Sequence, residues 1–306
     1  MAEVTASLVK ELRERTGAGM IECKKALSET GANIEKAIEL LREKGLSAAA
    51  KKAGRIAAEG LTSAAIVGDV GVIVEVNSET DFVAKNNEFV TYVADVAAHV
   101  AQSPTNNIDE LMAEKWIKDQ NITVEEGLSQ KIAVIGEKLT IRRFDRFAPS
   151  SDSALVTYIH SGGKVSVLLE LETNTNNQTI QEAGKNIAMQ IAAMSPRFVH
   201  QDEVSDDFKE KEREILKQQA LAEGKPLEIV EKMIVGRLNK TLKEMCLIEQ
   251  EYVKDGDHTI KTYLEAVSKE VGNTVTVKRF VRFETGEGIE KKEENFADEV
   301  NKAVQG

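Results

Sequence analysis

The chain has 306 residues, room for two or three hydrophobic cores, and its 42% apolar content with dispersed charge describes a globular protein. A formal net charge of −11 argues against a general binder of nucleic acid or anionic membrane, because neutralising phosphate needs a basic surface; local basic spots stay open. Cys23 and Cys246 make neither a disulfide framework nor a zinc spacing, no stretch approaches the roughly 20 apolar residues of a membrane span, and Met1 to Arg15 lacks a signal-peptide core, so a cytoplasmic protein is expected.

Residues 1–46 predict three helices. Leu8, Val9 and Leu12 form a stripe that stops at Thr16-Gly17-Ala18-Gly19; Met20, Ile21, Ala26 and Leu27 follow on a second helix that ends near Gly31. Asn33 caps a third, with Ile34, Ala37, Ile38 and Leu41, which Gly45 is expected to stop. Met20 and Ile21 are either core or an apolar docking patch flanked by Arg13 and Lys24. Residues 47–60 are small and basic, a helical or flexible linker.

From residue 61 the chain repeats itself. Val72 to Asn77 resembles Val167 to Glu172 at an offset of about 95 residues, each run following a glycine turn and an earlier strand-like run, which makes two hairpins. Ile135 to Phe144 resembles Val271 to Phe280 at an offset of about 136. Each half therefore reads hairpin, helices, final strand: a duplicated α+β unit. Between the first hairpin and the helical face of Phe89, Val93, Val96 and Val100 stands Glu79-Thr80-Asp81-Phe82-Val83. Either Thr80 or Asp81 caps that helix while Phe82 staples its first turn, or Phe82 is a protruding apolar wedge with a charge beside it; a rigid cap can also mount a wedge.

The offsets differ by about 41 residues, and an insert of that size is easy to locate. Residues 205–223 carry Phe208, Ile215, Leu216 and Gln219 on one side, Gly224-Lys225-Pro226 breaks the helix, and Val230, Met233, Ile234, Leu238, Leu242 and Met245 recur at helical spacing. This narrow antiparallel hairpin must lean on the body, a partner or a second copy, the last making a homodimer. Phe296, Ala297, Val300 and Val304 predict a short C-terminal helix.

The four histidines are scattered, and no phosphate loop, dinucleotide fingerprint or nucleophile elbow occurs. No cofactor, metal or catalytic site is expected, and a protein-binding surface is the default. Bases alternate with aromatics in Leu139 to Phe147, a pattern read here as an amphipathic edge strand rather than nucleic-acid stacking.

Three motifs together resemble one family. Leu8 to Met20 followed by Cys23-Lys24-Lys25-Ala26-Leu27 resembles the opening of bacterial translation elongation factor Ts; Asn77 to Asn86 resembles its second signature, and Phe283 to Lys291 its C-terminal end. The resemblance implies an α+β fold with a ubiquitin-associated-like N-terminal domain plus linker over 1–55, and core subdomains at 56–148 and at 149–200 with 250–284. It also implies a coiled-coil insert at 201–249 and a C-terminal module at 285–306. It implies a guanine-nucleotide exchange factor, not an enzyme, whose partner is the GDP-bound GTPase elongation factor Tu. Thr80, Asp81, Phe82 and Val83 would dislocate the partner's Mg2+. Arg13, Met20, Ile21 and Lys24 would dock on its nucleotide-binding domain, and His160, Tyr252 and Val253 on a β-barrel domain. Ile21 stands where a second Met is common in the family, and the polar segment Ser103 to Lys118 is longer than usual. Two other readings compete: an adaptor that binds through its three-helix unit alone, and an enzyme whose site escapes motif analysis.

Overall fold

The computed structural model describes residues 3–148, 150–223 and 227–290, without the side chains of 227–229, 231 and 232. It has mixed α and β structure. Among the described residues no helix is long and apolar enough to cross a membrane. The expected C-terminal helix and the Gly224-Lys225-Pro226 break lie outside the described residues.

Two compact units account for the described chain: 3–63, 74–145 and 283–290 in one, 64–73 and 146–282 in the other. The first begins with α1 (Ala6–Thr16), α2 (Met20–Glu29) and α3 (Ile34–Lys52). Thr5 caps α1 by accepting from the Leu8 N–H, Gly17 closes it in the left-handed region at φ 67°, and Asn33 caps α3 by accepting from Lys36. Val9, Leu12, Cys23, Ala26, Leu27 and Ala37 form the small core between them.

Gly45 does not stop α3, which runs on to Lys52. A Cβ there would lie 3.5 Å from the Ser129 carbonyl oxygen, an ordinary van der Waals distance, so nothing at this position demands glycine or breaks the helix, and the following Ala48-Ala49-Ala50 run favours continuation. The expected linker is thus helical as far as Lys52, and strand begins at Glu59.

The chain continues through β1 (Glu59–Val67), β2 (Val70–Ser78), α4 (Asp81–Ala84), α5 (Asn87–Gln102), α6 (Ile108–Ala113), β3 (Lys115–Trp116), β4 (Asp119–Thr123), α7 (Val124–Ile135) and β5 (Thr140–Phe147). Their main sheet has the order β1-β2-β5. The segment Ser103 to Lys118 therefore holds α6 and β3, and Trp116 packs on Tyr92, ring centroids 5.9 Å apart. β2 is buried on both faces, including Glu75, fully inaccessible on the central strand. Its carboxylate accepts from Arg142 Nη1 (3.0 Å), Arg143 Nε (2.5 Å), Asn77 Nδ2 (3.0 Å) and the Gly286 N–H (2.8 Å). Burial pushes this carboxyl up, but the Gly286 N–H, the Asn77 amide and the Arg143 guanidinium outweigh it and hold it below the usual carboxylate value.

The second unit repeats the scheme with β6 (Ser153–His160), β7 (Val165–Glu172), α8 (Gln178–Met194), α9 (Asp206–Ala222), α10 (Leu227–Met245), β8 (Glu251–Tyr252), β9 (Asp255–Thr259), α11 (Ile260–Val271) and β10 (Thr276–Glu284), in sheet order β10-β7-β6. β6 and β7 are antiparallel from Ser153↔Glu172 to His160↔Val165. Glu170, again fully buried on the central strand, accepts from Lys278 Nζ (2.9 Å) and Arg279 Nε (2.6 Å), and these two cations hold its carboxyl low against the opposing effect of burial. α8 sits close on the sheet because residue 184 is glycine: a Cβ there would meet Val156 Cγ2 at 2.5 Å. α9 and α10 pack against each other. Among the described residues, Ala220, Val230 and Ile234 form one small apolar cluster between them, and Leu242 joins Val204 and Cys246 in another.

Candidate functional site

The stretch that separates the two sequence readings of Phe82 is the exit from β2. Thr80 is extended (φ −125°, ψ 156°) and its hydroxyl accepts from the Val83 N–H, so Thr80, not Asp81, is the cap. The helix it starts lasts one turn, Asp81–Ala84, and α5 starts afresh after Asn86, whose side chain accepts from the Glu88 N–H at 2.8 Å. Val83 and Ala84 are buried, whereas Phe82 is 80% exposed. Phe82 therefore staples nothing. Burying a side chain of this kind releases about 1.5–3 kcal/mol, which the turn leaves unused in the isolated protein. Asp81 stands beside it, half-buried, with Lys85 Nζ 2.6 Å from its Oδ2 in a pair open to solvent.

The turn is braced from elsewhere in its unit. Glu137, directly after the α7 C-cap Gly136, accepts from the N–H groups of Glu79 (3.1 Å) and Thr80 (3.0 Å) and from the Thr80 hydroxyl (2.7 Å). The Glu79 carboxylate in turn accepts from the Lys138 N–H (2.5 Å) and from Arg55 Nη1 (3.2 Å). In the sequence, residues 135–144 stand out only as half of a repeat. The signal it passes over is the Glu137-Lys138 pair standing where the other copy has Asn273-Thr274.

Of the remaining predicted residues, Met20 and Ile21 are 59% and 70% exposed at the start of α2, so the core reading fails for both. The loop before them is pinned by the Thr16 hydroxyl, which donates to the Leu12 carbonyl (2.7 Å) and accepts from the Ala18 N–H (3.3 Å). Lys24 is exposed one turn further along α2, and Arg13 is exposed in the last turn of α1. His160 is exposed at the end of β6, with its Nδ1 3.1 Å from the Tyr158 hydroxyl. Val253 is 50% exposed at the tip of the β8–β9 hairpin, its N–H held by the buried Gln190 at 2.9 Å.

Tyr252, expected to face a partner, is instead buried and stacked on Tyr263, ring centroids 4.6 Å apart. A two-residue turn puts neighbouring side chains on different sides, and the apolar interior takes the ring. Among the described residues, no group of three or more His, Cys, Asp or Glu is placed to hold a metal ion.

An exposed phenyl on a braced turn and an apolar pair opening a helix leave three large apolar side chains in solvent. Comparison with known proteins gives the chain's relatives. The family model described as Elongation factor TS matches residues 79–287. The chain is 55% identical over 302 residues to "Elongation factor Ts" of Clostridium perfringens (strain SM101 / Type A), covering 98% of both chains. It is 53% identical over 305 residues to the protein of that name from Clostridium kluyveri (strain ATCC 8527 / DSM 555 / NBRC 12016 / NCIMB 10680 / K1), 99% of each chain, and 52% identical over 307 residues to that of Clostridioides difficile (strain 630), 100% of each. With three motifs in order and this identity over nearly its whole length, the chain belongs to the elongation factor Ts family.

Proposed function

We propose that the protein is a guanine-nucleotide exchange factor for the GTPase elongation factor Tu, acting in the cytoplasm during translation elongation and catalysing no reaction of its own. The observation that carries the reading is Phe82, 80% exposed on a turn braced by Glu137 and Glu79. Thr80 caps the turn, Val83 anchors it, and Phe82 with Asp81 enters the partner, where the segment displaces the Mg2+ that neutralises phosphate charge on GDP. Binding the nucleotide-free partner more tightly than the GDP-bound one weakens GDP by the same factor that GDP weakens the complex. Incoming nucleotide then releases the factor. Arg13, Met20, Ile21 and Lys24 dock on the nucleotide-binding domain. His160 and Val253 hold a second domain.

The architecture that suits this work is a ubiquitin-associated-like module with linker over 1–55, duplicated core subdomains at 56–148 and at 149–200 with 250–284, and a coiled-coil insert at 201–249. Homodimerisation through that insert is a second association we propose, using the exposed Ile215, Leu221 and Val235. Sedimentation of the wild type against Val235→Glu checks it.

The deciding experiment follows fluorescent GDP leaving purified elongation factor Tu, with wild type, Asp81→Ala and Phe82→Ala. Accelerated release that either substitution blunts while binding persists is the expected result. Binding without acceleration by the wild type would instead favour an adaptor that docks through its three-helix unit.

A further inference from the structure

The turn that carries Phe82 satisfies its two leading N–H groups, those of Glu79 and Thr80, from outside itself. Glu137 is the shared acceptor, taking the N–H groups of Glu79 and Thr80 on Oε2 and the Thr80 hydroxyl on Oε1. Lys138 next to it donates its N–H to Glu79 and its Nζ to the carbonyls of Ala53 and Arg55, both at 2.7 Å, and Arg55 reaches back to Glu79. Residues 53–55, 79–80 and 137–138 are thereby closed into one ring of charge-assisted hydrogen bonds, the stronger class.

The other hairpin-to-helix junction shows what this connection needs for folding alone. At the repeat offset of about 95 residues Thr175 takes the place of Thr80, and at about 136 Asn273 takes that of Glu137. There Asn273 Nδ2 donates to Thr175 Oγ1 at 2.8 Å, and the Thr175 N–H is satisfied locally by the Thr173 hydroxyl at 3.3 Å. An amide thus makes the same link. At that junction Asn177 replaces Phe82 and serves as the cap of α8. The carboxylate with three donors occurs where an exposed aromatic has to be aimed.

We propose that Glu137 is a positioning residue for nucleotide exchange, fixing the direction of Phe82 through the backbone of residues 79 and 80. This rests on the exchange reading above. A phenyl that is 80% exposed has little packing of its own to orient it, so the backbone beneath it sets its approach to the partner. Displacing a group of this kind by about 1 Å can cost about a hundredfold in rate.

The test uses the full chain with Glu137→Gln, Glu137→Ala, Phe82→Ala and the Glu137→Ala/Phe82→Ala double variant, measuring GDP release from elongation factor Tu at saturating factor and, separately, affinity for the nucleotide-free partner. Expected are a loss of about tenfold or more in maximal release for Glu137→Ala, affinity within about threefold of wild type, and no further loss in the double variant beyond Phe82→Ala. Additive losses make Glu137 a structural residue only and overturn the proposal. So does an unchanged maximal rate in both Glu137 variants while Phe82→Ala is impaired, which leaves the exchange reading standing. An unaffected Phe82→Ala removes that reading and this one together. If Glu137→Ala proves unstable on thermal melting, Glu137→Gln, which copies the amide of the other junction, carries the same comparison.

Discussion

The two central strands, β2 and β7, leave their sheets by junctions built on one plan and put to different ends. At the first, Thr80 starts a single helical turn, α4, before α5 starts again at Asn87; at the second, Asn177 caps α8 directly and the helix runs unbroken for 17 residues. Beneath both lies the same device, a fully buried glutamate on the central strand facing two cations from the neighbouring strand. The frame is common, and the departure is confined to a few residues around Phe82. A repeated fold can thus support a specialised feature without altering its core, provided the extra backbone groups find acceptors.

The largest expected effect tests the shared frame. Glu75→Ala leaves Arg142 and Arg143 without their buried carboxylate and should destabilise by about 3–5 kcal/mol. Glu170→Ala should cost less, because Lys278 and Arg279 are 43% and 46% exposed against 27% and 31% for Arg142 and Arg143, and water can replace the lost partner. Urea unfolding of both variants measures the difference, and equal losses would break the ranking.

Next in size is an exchange of character between the junctions. Phe82→Asn installs the residue of the second junction in the first and should lower the acceleration of GDP release by about a hundredfold. Its melting temperature should stay close to wild type, since an exposed side chain contributes little to folding. A large loss of stability would show that Phe82 is packing after all.

Gly184→Ala probes the second unit, where the added methyl meets Val156 Cγ2; overpacking of this kind should cost about 1–3 kcal/mol by urea unfolding. The position at the same repeat offset in the first unit is the buried Phe89, so the tight helix–sheet approach at 184 is local to the second.

The smallest effect is in pH. His99 is buried against Trp116, with Nε2 3.1 Å from Glu114 Oε2; burial pushes its pKa below the ordinary 6.5, the Glu114 carboxylate opposing. The unfolded chain then binds the proton more readily, so the stability contributed by neutral His99 is complete above about pH 6.5 and is lost as pH falls below it. Glu75 and Glu170, both held below their ordinary 4.5, contribute stability that is complete above that value and lost under more acid conditions. A melting series should show stability falling as pH drops below about 6.5, and His99→Gln should remove the part of the decline that sets in above pH 4.5.

Much of this architecture is legible in one dimension. Repeated apolar runs after glycine turns locate both hairpins, and the offset between Glu75 and Glu170 aligns them. Phe82 is singled out because an aromatic beside an acid at a strand exit has only two roles. Spacing could not choose between them, since stapling and exposure follow from where the turn points. Burial of Tyr252 was equally out of reach: Val253, its neighbour, is exposed, and the core that takes the Tyr252 ring is assembled from distant residues such as Ile187, Ile191 and Leu264.

What the amino-acid sequence determined by itself is therefore whatever depends on near neighbours: the cap at Asn33, the paired strand runs that follow glycine turns, and the helical spacing of α9 and α10. Tertiary structure alone decided that α3 runs past Gly45 to Lys52, that Tyr252 is interior, and that Glu137 braces Thr80 from 57 residues away. The physical reason is range. Capping and periodicity act over one or two turns of backbone, whereas burial and a carboxylate's choice of donors depend on chain brought near only by folding.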